Sequence, residues 1–142
     1  MTFKQLIKIE DDAKEVWVIS PYLHYDVNDE AFSEIVSINL GQNTKYKYII
    51  PASKKVFKNL EAYKKRYKVS DEMIQRNFLI LPENDFIPFV LEIAIYDANE
   101  ACLACAAPAM EGGEVIRFTD NAAQEMASQF KDIWKKYKQV SL

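Results

Sequence analysis

The stretch Val16–Asp29, VWVISPYLHYDVND, decides how this chain is expected to fold. Its first residues are apolar and favour β-structure, and Pro21 stops the strand. A nearly continuous apolar strand is typical of a sheet with helices on both faces, because both sides of such a strand are buried. The polar residues that follow include His24, the single histidine of the chain. The stretch therefore predicts a central strand whose carboxyl end carries a loop where a ligand could bind.

The N-terminal half of the sequence predicts helices and strands in alternation. An amphipathic helix capped by Thr2 is expected before the central strand, and Asn28 or Asp29 can cap a second helix that runs to about Leu40. The alternating stretch KYKYII predicts another strand, and Ser53 can cap the helix after it. This βαβα order predicts parallel pairing with a right-handed crossover.

The C-terminal half predicts shorter connections between strands. Ser70 or Asp71 can cap a short helix before the strand FLILP, and a long helix is expected from about Asp120 to Lys138. Between them, VLEIAIYD, ACLACAA and EVIRF are three closely spaced strand candidates, which favours antiparallel pairing there. The whole pattern predicts one α/β domain over residues 1–142, with a mixed, mostly parallel sheet of about six strands and helices on both faces.

Composition limits the classes of partner. The chain has 142 residues, 49% of them hydrophobic, with three Gly and five Pro, as expected for a packed globular domain. Its 21 acidic and 18 basic residues are mixed along the chain, so no direct binding to nucleic acid is expected. No segment has the pattern of a signal peptide or of a membrane span. The sequence thus predicts a cytoplasmic protein without membrane contact.

The two cysteines stand in the stretch CLAC, at Cys102 and Cys105. This spacing suits a redox pair or half of a zinc site, but one histidine in the chain leaves a four-ligand zinc site incomplete. A dyad of either cysteine with His24 is an alternative, although neither cysteine has a local sign of activation. Buried structural thiols and no metal site are the expectation. No glycine-rich phosphate loop is present, since EGG near Gly112 lacks its spacing, so no cofactor is predicted.

The order of elements and turns resembles the phospholipase D-like superfamily. The resemblance rests on a strand followed by SPYL, an Asp, a helix, an Asn or Gly turn, a strand ending YIIP, another helix and a later strand ending IYD. It covers the chain from about Val16 to Tyr137. The resemblance implies the fold of one phospholipase D-like half. It also implies a homodimer, because single-domain members of the superfamily join two halves in that way.

The catalytic motif of the superfamily is missing from this sequence. Active members carry His, one residue, Lys, four residues and Asp on a strand, with Gly-Ser-x-Asn shortly afterwards. If Asp97 is the motif Asp, Glu92 stands at the Lys position and Val90 at the His position, while Ala104–Ala107 replaces Gly-Ser-x-Asn. Valine cannot act as a nucleophile, and Glu92 would repel a phosphate. No catalytic residue of the family type is therefore predicted.

Two groups of residues are candidates for ligand binding. Tyr22, His24 and Asp26 would form a polar lip over a pocket floored by Glu92, unless the loop is simply exposed and shields a helix end. Separately, Ser53 and Lys54 begin a helix whose N-terminal amides and lysines could attract an anion, although ordinary helix capping explains the serine equally well. Asp97 joins the candidate ligand-binding residues through its position in the motif.

These observations predict a non-catalytic sensor or interaction module that binds a small ligand or a protein partner. An alternative is a phosphodiesterase, nuclease or other hydrolase with a rearranged site, with or without a divalent metal on its carboxylates. That site would use His24, Asp26, Glu92 and Asp97. A second alternative is a structural assembly subunit, for which neither a stabilising ligand nor turnover is expected.

Overall fold

The computed structural model describes residues 1–86, 91–105, 115–139 and 142, except for the side chain of Cys105. Some residues of the motif comparison lie outside the described residues, namely Val90, Ala106 and Ala107. Gly112 also lies outside them. The elements follow in the order α1 (Phe3–Asp12), β1 (Glu15–Ile19), α2 (Tyr25–Asn28), α3 (Glu30–Gly41), β2 (Lys45–Pro51), α4 (Lys54–Tyr67), α5 (Asp71–Asn77), β3 (Phe78–Leu81), a 3₁₀ turn (Glu83–Asp85), β4 (Leu91–Tyr96), β5 (Glu100–Cys105), β6 (Ile116–Thr119) and α6 (Asp120–Lys138).

The strands form one six-stranded mixed sheet in the order β3-β2-β1-β4-β5-β6. Strands β1, β2 and β3 are parallel neighbours, whereas β4 is antiparallel to β1, and β5 and β6 continue as antiparallel neighbours. The prediction of a mostly parallel sheet is therefore wrong. The antiparallel pairing predicted for the three C-terminal strands is confirmed, since only Asp97–Asn99 joins β4 to β5 and a parallel crossover needs a dozen or more residues. The sheet is not mostly parallel because β4 also pairs antiparallel with β1.

Helices cover both faces of the sheet, as predicted. Within β1, Val16 and Val18 point to the core under α1, α3 and α4, while Trp17 points to the core under α6. This alternation follows from the two-residue period of a strand. All three side chains are at most 7% exposed, so β1 is buried on both faces.

Most of the predicted helix starts are confirmed. The side chains of Thr2, Asp29, Ser53 and Ser70 each accept a hydrogen bond from a backbone amide of the first turn of their helix. The single-turn helix α2 was not predicted. It occupies Tyr25–Asn28 and carries Asp26.

The C-terminal helix α6 has the predicted bounds and packs against the sheet. Ala123, Phe130 and Trp134 are at most 2% exposed, while its other side carries charged residues. Among the residues that the structure describes, no helix combines the length and the apolar character needed to cross a bilayer.

Candidate functional site

A crevice lined by three carboxyl side chains lies where β1 ends and β4 begins. We call it the acidic crevice and define it by Glu10, Asp26 and Glu92. Its cavity of about 30 Å³ is large enough for one or two water-sized groups. The other described lining residues are mainly apolar or aromatic: Phe3, Leu6, Val18, Tyr25, Phe32, Ala94, Tyr96, Cys102 and Ala104.

Glu10 is the most deeply buried of the three carboxyl groups. It lies one turn after Leu6 on the inner side of α1, and it is 3% exposed. Tyr96 Oη donates to Glu10 Oε1 at 3.0 Å, and Tyr46 Oη donates to Oε2 at 3.2 Å. Burial, followed by the negative charge of Asp26, raises the pKa of Glu10 to about 8, although the two tyrosine hydrogen bonds lower it.

Asn39, which lies on α3, orients the hydroxyl group of Tyr46. Its Nδ2 donates to Tyr46 Oη at 3.0 Å and to the Glu10 carbonyl oxygen at 2.8 Å. The Tyr46 hydroxyl is thereby directed to donate to Oε2 of the Glu10 carboxyl group. Asn39 is fully buried, and its Oδ1 has no hydrogen-bond partner among the described residues. The network therefore retains one unsatisfied acceptor.

Asp26 is positioned by a second set of hydroxyl groups. Tyr48 Oη donates to Asp26 Oδ2, and Tyr63 Oη donates to Tyr48 Oη at 3.3 Å. The backbone carbonyl of Asp26 accepts from Tyr67 Oη and, at 3.0 Å, from Ser33 Oγ. Burial raises the pKa of Asp26 to about 6, while the hydrogen bond from Tyr48 opposes this rise.

Glu92 reaches the crevice from the start of β4, where it is paired with Ala104 of β5. Burial raises its pKa to about 8, a hydrogen bond with Ser20 lowers it, and the charges of Asp26 and Glu10 raise it further. Since both glutamates have a pKa above 7, they hold protons at neutral pH when the crevice contains no cation.

Three mutually packed aromatic rings, those of Phe3, Tyr25 and Phe32, also line the acidic crevice. The Phe3 centroid lies 5.2 Å from that of Tyr25 and 5.6 Å from that of Phe32, and Tyr25 and Phe32 are 5.4 Å apart. These distances are typical of packed aromatic pairs. The crevice is therefore lined by both aromatic and carboxyl side chains.

The described lining of the crevice contains no lysine, arginine or histidine. Within the described part of the chain, no group of three or more His, Cys, Asp or Glu side chains is placed to hold a metal ion. Cys102 also lines the crevice, but burial raises the pKa of its thiol to about 12. A thiol in that state is a poor nucleophile.

The chain matches no protein-family model and no curated protein.

The structure brings together two of the residues proposed from the sequence, Asp26 and Glu92. Tyr22 and His24 are nearby in the chain but do not line the crevice. The Tyr22 ring lies 4.5 Å from Lys55 Nζ, and its carbonyl accepts from Asn59 Nδ2 at 2.8 Å. His24 Nδ1 is 3.3 Å from Asn28 Nδ2, and its ring packs edge-on to Tyr25 at 5.3 Å.

The remaining proposed residues have other surroundings. Ser53 Oγ accepts from the Val56 amide at 3.2 Å and caps α4, and Lys54 is the exposed first residue of that helix. Asp97 lies at the opposite end of β4 from Glu92. Its Oδ1 accepts from the backbone amides of Lys14 at 3.0 Å and Glu15 at 2.9 Å. The four residues of the rearranged hydrolase site are thus not gathered at one point.

Sequence reasoning missed Glu10 and the tyrosines that surround it. A signal was present, because Glu10 follows Leu6 by four residues and precedes Ala13 by three, which puts all three on one helix face. An acidic residue on the buried face of an amphipathic helix marks a polar site inside the core. Likewise, the alternation of KYKYII places Tyr46 and Tyr48 on the same face.

Proposed function

We propose that this chain is a non-catalytic binding module of phospholipase D-like type, and that its acidic crevice receives the primary ammonium group of a small organic ligand. One observation carries the proposal: Glu10, Asp26 and Glu92 line a single crevice whose described lining has no basic side chain. The crevice therefore contains potential negative charge without a matching cation.

A bound cation would resolve the electrostatic cost of this arrangement. An isolated buried carboxylate is unfavourable, and such a group either takes up a proton or pairs with a positive charge. The raised pKa values of Glu10 and Glu92, about 8 in each case, mean that protons fill this role when no cation is bound. A ligand cation would displace them, so binding should release protons and strengthen as pH rises from 6 to 8.

The size and the lining of the crevice favour an ammonium group over other cations. A volume of about 30 Å³ accommodates a water-sized head group. The three donors of a primary ammonium match carboxylate oxygens, and aromatic faces such as those of Phe3, Tyr25 and Phe32 attract cations. The spacing of acidic groups in the described residues does not suit a metal ion.

The resemblance to the phospholipase D-like superfamily supports a cationic ligand in place of the anionic phosphate that active members bind. If Asp97 is aligned with the motif Asp, Glu92 stands where that superfamily has the lysine that binds phosphate. A carboxylate at that position repels phosphate and attracts a cation. The resemblance also implies a homodimer, which belongs to the same proposal.

The test is a thermal-shift and calorimetric titration with butylamine and 1,4-diaminobutane at pH 6, 7 and 8. Butan-1-ol serves as the neutral control of matched shape. Binding to the native state raises the melting temperature by mass action. We expect a shift with the amines, larger at pH 8 than at pH 6, and none with the alcohol. Glu92→Gln should abolish the shift, while Glu34→Gln on the exposed side of α3 should retain it.

Two results would overturn the proposal. One is an equal effect of amines and alcohol, which would mean that charge is not recognised. The other is an unchanged amine response in the Glu92→Gln variant, which would place the interaction elsewhere. Stabilisation by a protein partner that is competed by butylamine would support the same site, with a lysine side chain as the natural ligand.

A hydrolase is the second candidate function, and one observation favours it. Asp26 and Glu92 share the crevice and have pKa values of about 6 and about 8, and such a difference is typical of acid–base pairs. A panel of chromogenic phosphodiesters, carboxylic esters and glycosides would test it. The enzyme would be favoured over the binding module if the rate of turnover depends on pH with the two pKa values of Asp26 and Glu92, and if Asp26→Asn abolishes turnover.

A further inference from the structure

A second crevice lies at the amino ends of β2 and β3, away from the acidic crevice. We call it the basic crevice and define it by Lys45, Lys47, Arg76 and Lys138. These residues come from the start of β2 and from the last turns of α5 and α6. The space between them is about 970 Å³, which reaches the upper range of small-molecule sites.

The four cations of the basic crevice have no ion-pair partner within the described part of the chain. Lys47 Nζ donates to the neutral Asn77 side chain at 2.9 Å, and Lys138 Nζ donates to the Gln75 carbonyl oxygen. Elsewhere on the surface, basic side chains form ion pairs: an Arg117 guanidinium nitrogen lies 2.7 Å from Glu100 Oε1. The basic crevice therefore concentrates positive charge that the described residues leave without a paired carboxylate.

These cations also affect one another. Partial burial lowers the pKa of Lys47, and the charges of Arg76 and Lys45 lower it further, while Glu15 opposes the change. Partial burial and the charge of Lys47 lower the pKa of Lys138. Glu15 is the one acidic side chain in the described lining, and its Oε1 also accepts from Trp17 Nε1 at 3.1 Å. A bound anion would relieve this repulsion.

Trp134 holds two of the lysines in place and limits the kind of ligand. The ammonium groups of Lys47 and Lys138 lie 5.5 Å and 5.2 Å from the centre of its ring, within the range of cation–π contacts. The ring is only 2% exposed, so a nucleic-acid base cannot stack on it. Recognition would therefore depend on charge, unlike the stacking that usually binds single strands.

We propose that the basic crevice binds a small molecule through a diphosphate group. Four cationic side chains and one acidic side chain, Glu15, belong to its lining, as does the C-terminal residue Leu142. The cationic side chains outnumber the acidic groups, so a compact group with several negative charges matches the crevice better than a single carboxylate or phosphate. The diphosphate could belong to inorganic pyrophosphate or to a nucleoside diphosphate. This site is separate from the acidic crevice and does not depend on the function proposed for it.

The fluorescence of Trp134 provides a direct test, because both lysines contact its ring. Trp17→Phe removes the other tryptophan of the chain and leaves one reporter. In this background, inorganic pyrophosphate should give a saturable change, and inorganic phosphate should bind at least tenfold more weakly. The double variant Lys47→Gln/Lys138→Gln should weaken pyrophosphate binding at least tenfold. The matched control Lys58→Gln/Lys65→Gln changes two exposed lysines of α4 and should leave it unchanged.

Further arms identify the part of the ligand that is recognised. ADP that binds as well as pyrophosphate, together with no response to adenosine, would support recognition of the diphosphate. Equal binding of phosphate and pyrophosphate, or an equal loss in the control variant, would overturn the proposal. Tighter binding of a single-stranded oligonucleotide than of pyrophosphate would also overturn it. Glu92→Gln should leave pyrophosphate binding intact, which separates this test from that of the acidic crevice.

Discussion

The two faces of the sheet bury different kinds of core. The core under α6 contains three stacked rings that pack with aliphatic side chains. The Phe130 ring centroid lies 5.2 Å from that of Trp17 and 5.9 Å from that of Trp134. The core under α1, α3 and α4 includes tyrosine hydroxyls that reach the buried carboxyl groups of Glu10 and Asp26. An apolar core contributes stability that does not change with proton concentration, whereas a core with buried carboxyl groups must respond to pH.

The largest effect is expected from truncation on the apolar face. Phe130→Ala should lower the free energy of unfolding by about 3–5 kcal/mol, because it removes a fully buried ring and leaves a cavity. Urea unfolding at pH 5 and pH 8 would measure the loss, which should be equal at both values. Phe130→Leu, which keeps most of the volume, should lose less. If the loss of unfolding free energy differs strongly between pH 5 and pH 8, the apolar face is also pH-dependent, and the proposed difference between the two faces of the sheet is contradicted.

A pH series tests the polar face. The pKa of Glu10 is about 8 in the folded protein against 4.5 for an unperturbed glutamate. The folded state therefore binds the extra proton between these values, and the free energy of unfolding should fall as pH rises through this window. The slope from Glu10 approaches about 1.4 kcal/mol per pH unit.

Glu10→Gln should remove that part of the slope and raise the stability of the protein at pH 8 relative to the wild type. Urea unfolding at half-unit steps from pH 4.5 to 8.5 would measure it. The exposed Glu34→Gln variant is the control and should keep the wild-type slope. Identical slopes in wild type and Glu10→Gln would mean that Glu10 is ionised in the folded protein.

A smaller effect is expected from removing one hydroxyl of the polar core. Tyr48→Phe takes away the donor to Asp26 and should cost about 1–3 kcal/mol at pH 7, because a partly buried carboxylate loses its partner. The pKa of Asp26, about 6 with this hydrogen bond, should rise. Carboxyl NMR titration would measure that shift. Tyr137→Phe on the outer part of α6 should leave the pKa of Asp26 unchanged, and an unchanged value in Tyr48→Phe would contradict the assigned donor.

The smallest effect concerns the start of α3, the helix that carries Asn39 into the polar core. Asp29→Ala removes a side chain that accepts from the Phe32 amide at 3.0 Å and should cost about 1 kcal/mol. Asp29→Asn keeps the cap and should cost much less. Thermal unfolding would compare the two variants. Equal stability of Asp29→Ala and Asp29→Asn would show that the cap contributes nothing to the polar face.

Local chemistry made many elements of the fold predictable. Thr2, Ser53 and Ser70 mark helix starts because each side chain replaces a missing backbone partner. The apolar run in β1 indicated burial on both faces. Strand direction was harder to predict, since β4 pairs with β1 across a long stretch of sequence, and no local pattern encodes that pairing.

The candidate site was predictable only in part. Asp26 was recognised because it lies in the loop at the carboxyl end of the first strand, where ligands gather in α/β folds. Glu92 was recognised because the resemblance puts it at the Lys position of the superfamily motif. Glu10 was missed because its effect depends on tertiary burial between α1 and the sheet, which residue type does not reveal. The basic crevice was missed for a related reason, as Lys47, Arg76 and Lys138 are far apart in the sequence.

The carboxylate of Asp97 has a consequence for the order in which the protein folds. It accepts hydrogen bonds from backbone amides at the start of β1, and Asp97 lies 83 residues after Lys14, the first of these donors. At a synthesis rate of about 5–20 residues per second, that interval takes several seconds. During this time β1 has β2 as a neighbour but not β4, so one edge of the future central strand stays unpaired. Until β4 is synthesised, this edge of β1 presents unpaired backbone groups that a strand of another chain could pair with.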